Sequence, residues 1–168
     1  MPLILSGDGI TSDNITSLAA SKLTGQVPDA NAPSGSIIQV VHGQLISNRV
    51  QVSSSSFVTV GSGVSITPLS TSNKILVNVQ VGINIKHELS IGRGGSTNIT
   101  GVSHGLVTET DDNWTHQRFF YVDSPNSTSS QTYYLTARGY NGSTATVYIS
   151  DFSPDGPFAY MTLMEIAA

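Results

Sequence analysis

"KILVNVQVGINIK", residues 74–86, is the stretch that decides the fold. Ile75, Val77, Val79, Val81, Ile83 and Ile85 alternate with Leu76, Asn78, Gln80, Gly82 and Asn84. Successive side chains of a strand point to opposite faces, so this period of two puts the β-branched residues on one face. The mixed residues between them face the other way. That is a long antiparallel strand with one face in a core.

Working outward, the same period recurs in short runs. "SIIQVV" (36–41), "VQVSSSSFVTVG" (50–61) and "VSITPL" (64–69) precede it, the last two separated by a Gly-Ser turn. "HELSIG" (87–92), "QRFFYVD" (117–123), "QTYYLTAR" (131–138), "ATVYISD" (145–151) and "FAYMTLMEI" (158–166) follow. Between them lie "GRGG", "SPNSTSS", "GYNGS" and "SPDGP", whose Gly, Asn-Gly and Pro-Asp-Gly elements are turn chemistry. Eight or nine short strands at this spacing predict an all-β fold, a jelly-roll-like antiparallel β-sandwich.

Composition agrees. Charged residues are 11% of the 168, and hydrophobic residues 38%. Ser, Thr, Asn and Gly take the place of charge, which suits hydroxyl-covered sheets and many turns better than a disordered polyelectrolyte. A net charge of −4 with seven Lys and Arg leaves no electrostatic footprint for nucleic acid. There is no cysteine, which excludes disulfides and thiolate chemistry. The apolar run after Met1 stops at Leu5, too short for a signal peptide, and nothing approaches a membrane span. Five N-x-S/T triplets, at Asn14, Asn98, Asn113, Asn126 and Asn141, are read as chance in so Ser- and Thr-rich a chain.

Residues 1–35 are different. Ile15, Leu18 and Leu23, with Ala19 and Lys22, fit one short helical stripe between a cap at residues 12–14 and Gly25. A helix of about ten residues is marginal alone in water, and "QVPDANAPSG" beyond it reads as extended linker. The expected division is a helical and extended attachment and trimerisation segment, 1–35, and a head, 36–168. The last strand adds to this. Phe158, Tyr160, Met164 and Ile166 fall on one face and Met161 and Leu163 on the other, so both faces are apolar. A strand of that kind is buried on both sides. The expectation is that Met161 and Leu163 join Ile15, Leu18 and Leu23 in a subunit interface.

Catalytic constellations are weak. "ETDDNWTH" (109–116) gathers Glu109, Asp111, Asp112 and His116 but lacks the glycine and terminal Glu of a calcium loop. His42, His87, His104 and His116 make no i, i+2 or i, i+4 pair, and no G-x-S-x-G elbow is present. The expectation is no enzyme, no metal and no cofactor. For recognition, the single tryptophan, Trp114, sits in a polar loop beside Asp112 and His116, while Arg93 and Tyr140 sit at turns. These five are the candidate receptor-binding residues.

Four segments in order, "GITSDNITSLAASKLTGQVPDANAPSGSIIQVV", "ITPLSTSNKILVNVQV", "YVDSPNSTSSQTYYL" and "YMTLMEIAA", give the chain a family resemblance. It resembles short tail-fibre and virion-appendage proteins of tailed bacteriophages, particularly those infecting cyanobacteria. The resemblance implies a homotrimer located in the virion and assembled in the host cytoplasm. It implies that residues 1–35 hold another baseplate or tail protein and that the head meets a bacterial surface glycan. The His-x-His metal repeats of some phage fibres are absent, and the shaft is short. Two alternatives stand beside this reading. One is a purely architectural virion protein, such as a capsid decoration or baseplate plug. The other is a soluble carbohydrate-binding or hydrolytic jelly roll.

Overall fold

The structure, a computed structural model, describes residues 32–46, 50–84, 86–110, 115–142, 146–149 and 159–168. These belong to one compact unit, Ala32–Ala168. The lead residues Ile15, Leu18 and Leu23 lie outside the described residues, as do Asp112 and Trp114.

The described strands are β1 (Ile37–Gln44), β2 (Val50–Ser53), β3 (Val58–Ile66), β4 (Lys74–Asn84) and β5 (His87–Arg93). After them come β6 (Val107–Glu109), β7 (Thr115–Asp123), β8 (Gln131–Gly139), β9 (Thr146–Ile149) and β10 (Ala159–Ile166). They form two antiparallel sheets. In the first, β1, β10 and β4 are neighbours, β7 pairs β4 along Ile75–Ile83, and β9 joins β4 at Ile83–Asn84 and carries β2. The second has the order β3-β8-β5-β6. The pairings nest: β1 with β10, β3 with β8, β4 with β7, β5 with β6. The fold is an all-β sandwich, as the alternation predicts.

The core lies between the sheets. Ile75, Val77, Val79, Val81 and Ile83 have no exposed surface, and neither do Leu89, Ile91, Leu135 and Ala137 facing them from the second sheet. Each such side chain contributes about 1.5–3 kcal/mol by leaving water. The period-two face of residues 74–86 is therefore the centre of the sandwich, with Ile85 outside the described residues.

Two expectations are corrected here. Met161 and Leu163 do not face outward: both are fully buried in the core, and Tyr160, Thr162, Met164 and Ile166 form the outer face of β10. The register decides this, because Met161 pairs with Val79 and Leu163 with Val77, and paired residues share a face. The Gly-Ser-Gly of residues 61–63 does not separate two strands either. β3 runs through it, with a bulge between Val60 and Val64. Gly61 has φ +69°, and a Cβ there would stand 2.1 Å from Leu45 O. The bulge closes on Leu45, whose carbonyl accepts a hydrogen bond from Ser62 N–H at 2.6 Å.

The two ends of the sandwich differ. At one end, Gly35 N–H donates to Ala167 O at 2.8 Å and Ala167 N–H to Ser36 O at 2.9 Å. There Glu165 Oε1 accepts from Leu69 N–H and Asn73 Nδ2, each at 2.7 Å. At this near end Gly35 and Ser36 meet Ala167. The strand ends Asn84, Thr115, Gly139 and Ala159 lie at the other, far end.

Candidate functional site

Because the odd-numbered residues of β4 fill the core, Leu76, Asn78 and Gln80 point outward. The register sets them in cross-strand rows on the outer face of the first sheet. Nearest the near end is Val40–Met164–Leu76–Val122, with Ile37 and Ile166 beyond it. Next comes His42–Thr162–Asn78–Phe120, and then Gln44–Tyr160–Gln80–Arg118. The face changes from apolar to polar along its length. Phe120 is 72% exposed, Val40 and Ile37 57% each, and Val122 46%. Clustered apolar side chains in water are uncommon on a lone chain and mark interaction surfaces.

The polar half is a shallow groove of about 180 Å³ lined by His42, Asn78, Gln80, Arg118, Tyr160 and Thr162. The His42 ring stacks on Tyr160 with centroids 5.6 Å apart and planes 17° from parallel. His42 Nδ1 and Thr162 Oγ1 are 2.9 Å apart, and Arg118 Nε donates to Asn78 Oδ1 at 3.4 Å. Amides, hydroxyls, a guanidinium and two aromatic rings can hydrogen-bond and stack on a polar partner. A His–Thr pair also resembles half of a nucleophile–base arrangement. It lies in mid-strand, with His42 on the edge strand β1 and Thr162 on β10, which pairs with both β1 and β4. An adjoining groove of about 420 Å³, lined by Leu76, Asn78, Arg118 and Phe120, carries the surface into the apolar half.

The second sheet holds a charged cluster of another kind. Glu88 has no exposed surface. Its Oε1 is 2.9 Å from His104 Nδ1 and accepts Asn141 N–H at 2.8 Å, while Oε2 accepts Arg138 Nε at 2.5 Å. Arg138 also donates to Ser103 O at 2.6 Å and lies 4.5 Å from the centre of the Phe57 ring. Burial acts to raise the Glu88 pKa, but the hydrogen bonds from His104, Arg138 and Asn141, with the Arg138 charge, hold it below the ordinary range. Every contact is internal, so the cluster fastens the connection 94–106 over β5. Asn98 serves the same connection: its Oδ1 accepts from Ser90, and its Nδ2 donates to Val102 O, both at 2.8 Å.

Of the expected receptor-binding residues, His116 is described on the outer face of β7, opposite Gly82 near the far end. Tyr140 opens a 3-10 turn, Tyr140–Gly142, also at the far end but on the second sheet, and is half-buried. Arg93 is a correction. Its turn is real: Arg93 and Ser96 exchange backbone hydrogen bonds at 2.9 and 3.0 Å, with Gly94 and Gly95 at positive φ. The side chain, however, is not displayed at the tip. Its Nε lies 2.9 Å from Asp123 Oδ2 and its Nη1 donates to Gln131 Oε1 at 2.9 Å. Tyr133 donates to the same Asp123 oxygen at 2.7 Å. Burial first, then the Asp123 hydrogen bond and charge, push the Tyr133 phenol well above its usual range. The group bridges β5, β7 and β8 at the near end, so Arg93 is drawn inward and away from Tyr140. Among the described residues no group of three or more His, Asp or Glu is placed to hold a metal ion.

Sequence reasoning missed the outer face of β7. Arg118, Phe120 and Val122 alternate with Phe119, Tyr121 and Asp123, so "QRFFYVD" is apolar on both sides, the pattern noticed only in the last strand. No helix among the described residues is long and apolar enough to cross a membrane. No known protein family matches the chain, and no curated protein matches it.

Proposed function

We propose that this chain is a non-catalytic virion appendage protein, a trimeric tail-fibre or baseplate-attached head that mediates adhesion to a bacterial surface. The observation that carries the reading is the exposed apolar half of the first sheet's outer face. A small head that exposes Phe120, Val40, Ile37 and Val122 is built to be covered. The nested strand pairing supports the jelly-roll form of the sandwich, two sheets made by rolling one long hairpin. The four resembling segments supply the virion context. Adhesion would be multivalent: three weak sites on one head, and several heads per particle, give an avidity far above each site's own affinity.

One observation favours a second reading, an architectural virion protein with no receptor. Arg93, expected at the recognition surface, is engaged by Asp123 in an ion pair and is only 23% exposed. Adsorption separates the two. Fluorescently labelled protein is expected to bind intact cyanobacterial cells saturably and to be competed by their extracted surface polysaccharide. Protein that assembles normally but binds no cells across a panel of hosts refutes the adhesive reading and leaves the architectural one. Shortened polysaccharide chains after incubation would refute both in favour of a hydrolase.

A further inference from the structure

We infer that the polar groove across β1, β10, β4 and β7 binds one ring of an acidic sugar, with the sugar's carboxylate on Arg118. The lining comes from two adjacent cross-strand rows, His42–Thr162–Asn78 and Tyr160–Gln80–Arg118. β1 and β7 stand three strand spacings of about 4.8 Å apart, so His42 and Arg118 wall a floor laid by β10 and β4. Arg118 selects an anion. Among the described residues it makes no ion pair with a carboxylate, and its hydrogen bond from Nε to Asn78 leaves both terminal nitrogens open. Such a fork matches a carboxylate. The surrounding charge has the same sign. The chain's net charge is −4, yet among the described residues the outward positions of β1, β10, β4 and β7 include Lys74 and Arg118 and no Asp or Glu.

The rest of the lining selects a sugar. Asn78, Gln80 and Thr162 each donate and accept hydrogen bonds, as ring hydroxyls do. The His42–Tyr160 stack supplies aromatic surface beside them, on which the C–H face of a pyranose packs. At about 180 Å³ the groove is smaller than the ~300–1,000 Å³ of pockets for drug-sized ligands, which suits a single ring. The lining is also held in place, His42 by Tyr160 and Thr162 Oγ1, and Arg118 by Asn78. Groups already fixed lose less freedom on binding. Use of this groove in adhesion rests on the function proposed above, whereas sugar binding itself is measured without cells.

The full-length chain is titrated with sodium glucuronate, methyl glucoside and sodium acetate, and saturation-transfer NMR reads the binding of each. Glucuronate is expected to bind about tenfold or more tightly than the other two. Arg118→Gln, at an exposed position, is expected to weaken glucuronate by about tenfold or more at an unchanged melting temperature. Thr162→Val, which releases His42 Nδ1, weakens it by a smaller factor. Glucoside bound as tightly as glucuronate overturns the carboxylate contact. Acetate bound as tightly overturns the sugar and leaves a general carboxylate site. No glucuronate binding, or binding unchanged by Arg118→Gln, overturns the inference altogether. Two further outcomes separate it from adhesion. Glucuronate binding by a protein that binds no cells overturns the adhesive reading and leaves the sugar site standing. Cells bound equally by the wild type and Arg118→Gln overturn the groove's part in adhesion and leave the adhesive reading standing.

Discussion

Glu88 is a carboxylate with no exposed surface, and it is tolerated because its two oxygens receive Arg138, His104 and the Asn141 N–H. A buried charge is costly unless paired and hydrogen-bonded, so removing it leaves the Arg138 guanidinium without its partner. The folded pKa is depressed from an ordinary 4.5, so the interaction is fully present above that unfolded value. It is lost as pH falls through the folded value. Two results are expected of Glu88→Gln. At pH 7 the variant is less stable by about 2–3 kcal/mol, the usual worth of hydrogen bonds to a charged group. Below pH 4.5 its stability falls less steeply than that of the wild type. Urea unfolding midpoints across pH 3–7 measure both, and parallel acid limbs would show that Glu88 carries no charge in the fold.

At the scale of the strand, β10 shows what a single sequence leaves open. Its alternation is sound, but both its faces are apolar, so periodicity alone cannot say which turns inward. Pairing with β4 makes the choice: Met161 and Leu163 stand over Val79 and Val77, and Met164 over Leu76. Leu163→Ala is therefore expected to cost about 2–5 kcal/mol, the range for emptying a core leucine site. Met164→Ala removes a side chain from a half-buried outer position and should cost the isolated fold under about 1 kcal/mol. Equal losses in chain stability from the two variants would mean that β10 is buried on both sides within one chain. β4 was legible because one of its faces is β-branched throughout and the other is mixed. β6 was not, because three residues cannot display a period, and its place is fixed by His87 pairing with Glu109. The bulge of β3 looked like a turn because Gly61 and Gly63 carry turn chemistry, and only the closeness of Leu45 O shows why glycine is required. Of the candidate site, the residues were visible but their partners were not. Arg93 was placed on its turn correctly, while Asp123, thirty residues later, decides where its side chain goes.

For the molecule as a whole, the near end joins what precedes the head to the head's own last strand. Gly35 donates to Ala167, and Ser36 accepts from Ala167, so residues 35 and 36 extend the β1–β10 ladder and are not free linker. Glu165 and Asn73 brace the same end, with Asn73 Oδ1 accepting Ala168 N–H at 3.2 Å. A cut before Ala32 and a cut after Ser36 should therefore differ, although only five residues separate them. Removing 1–31 keeps the hydrogen bonds of Gly35 and Ser36 with Ala167, and the shortened chain is expected to keep its β-signal and a cooperative melt. Removing 1–36 deletes two backbone hydrogen bonds worth about 1 kcal/mol each. For a domain of this size that corresponds to a melting temperature lower by roughly 5–10 °C. It also leaves the Ala167 carbonyl and amide without their partners, at the strand that lies between β1 and β4. Calorimetry of the two truncations, each under conditions where scattering gives the same oligomeric state, measures the difference. Equal melting temperatures would show that residues 32–36 only pass over this end, and the head would then begin at Ile37.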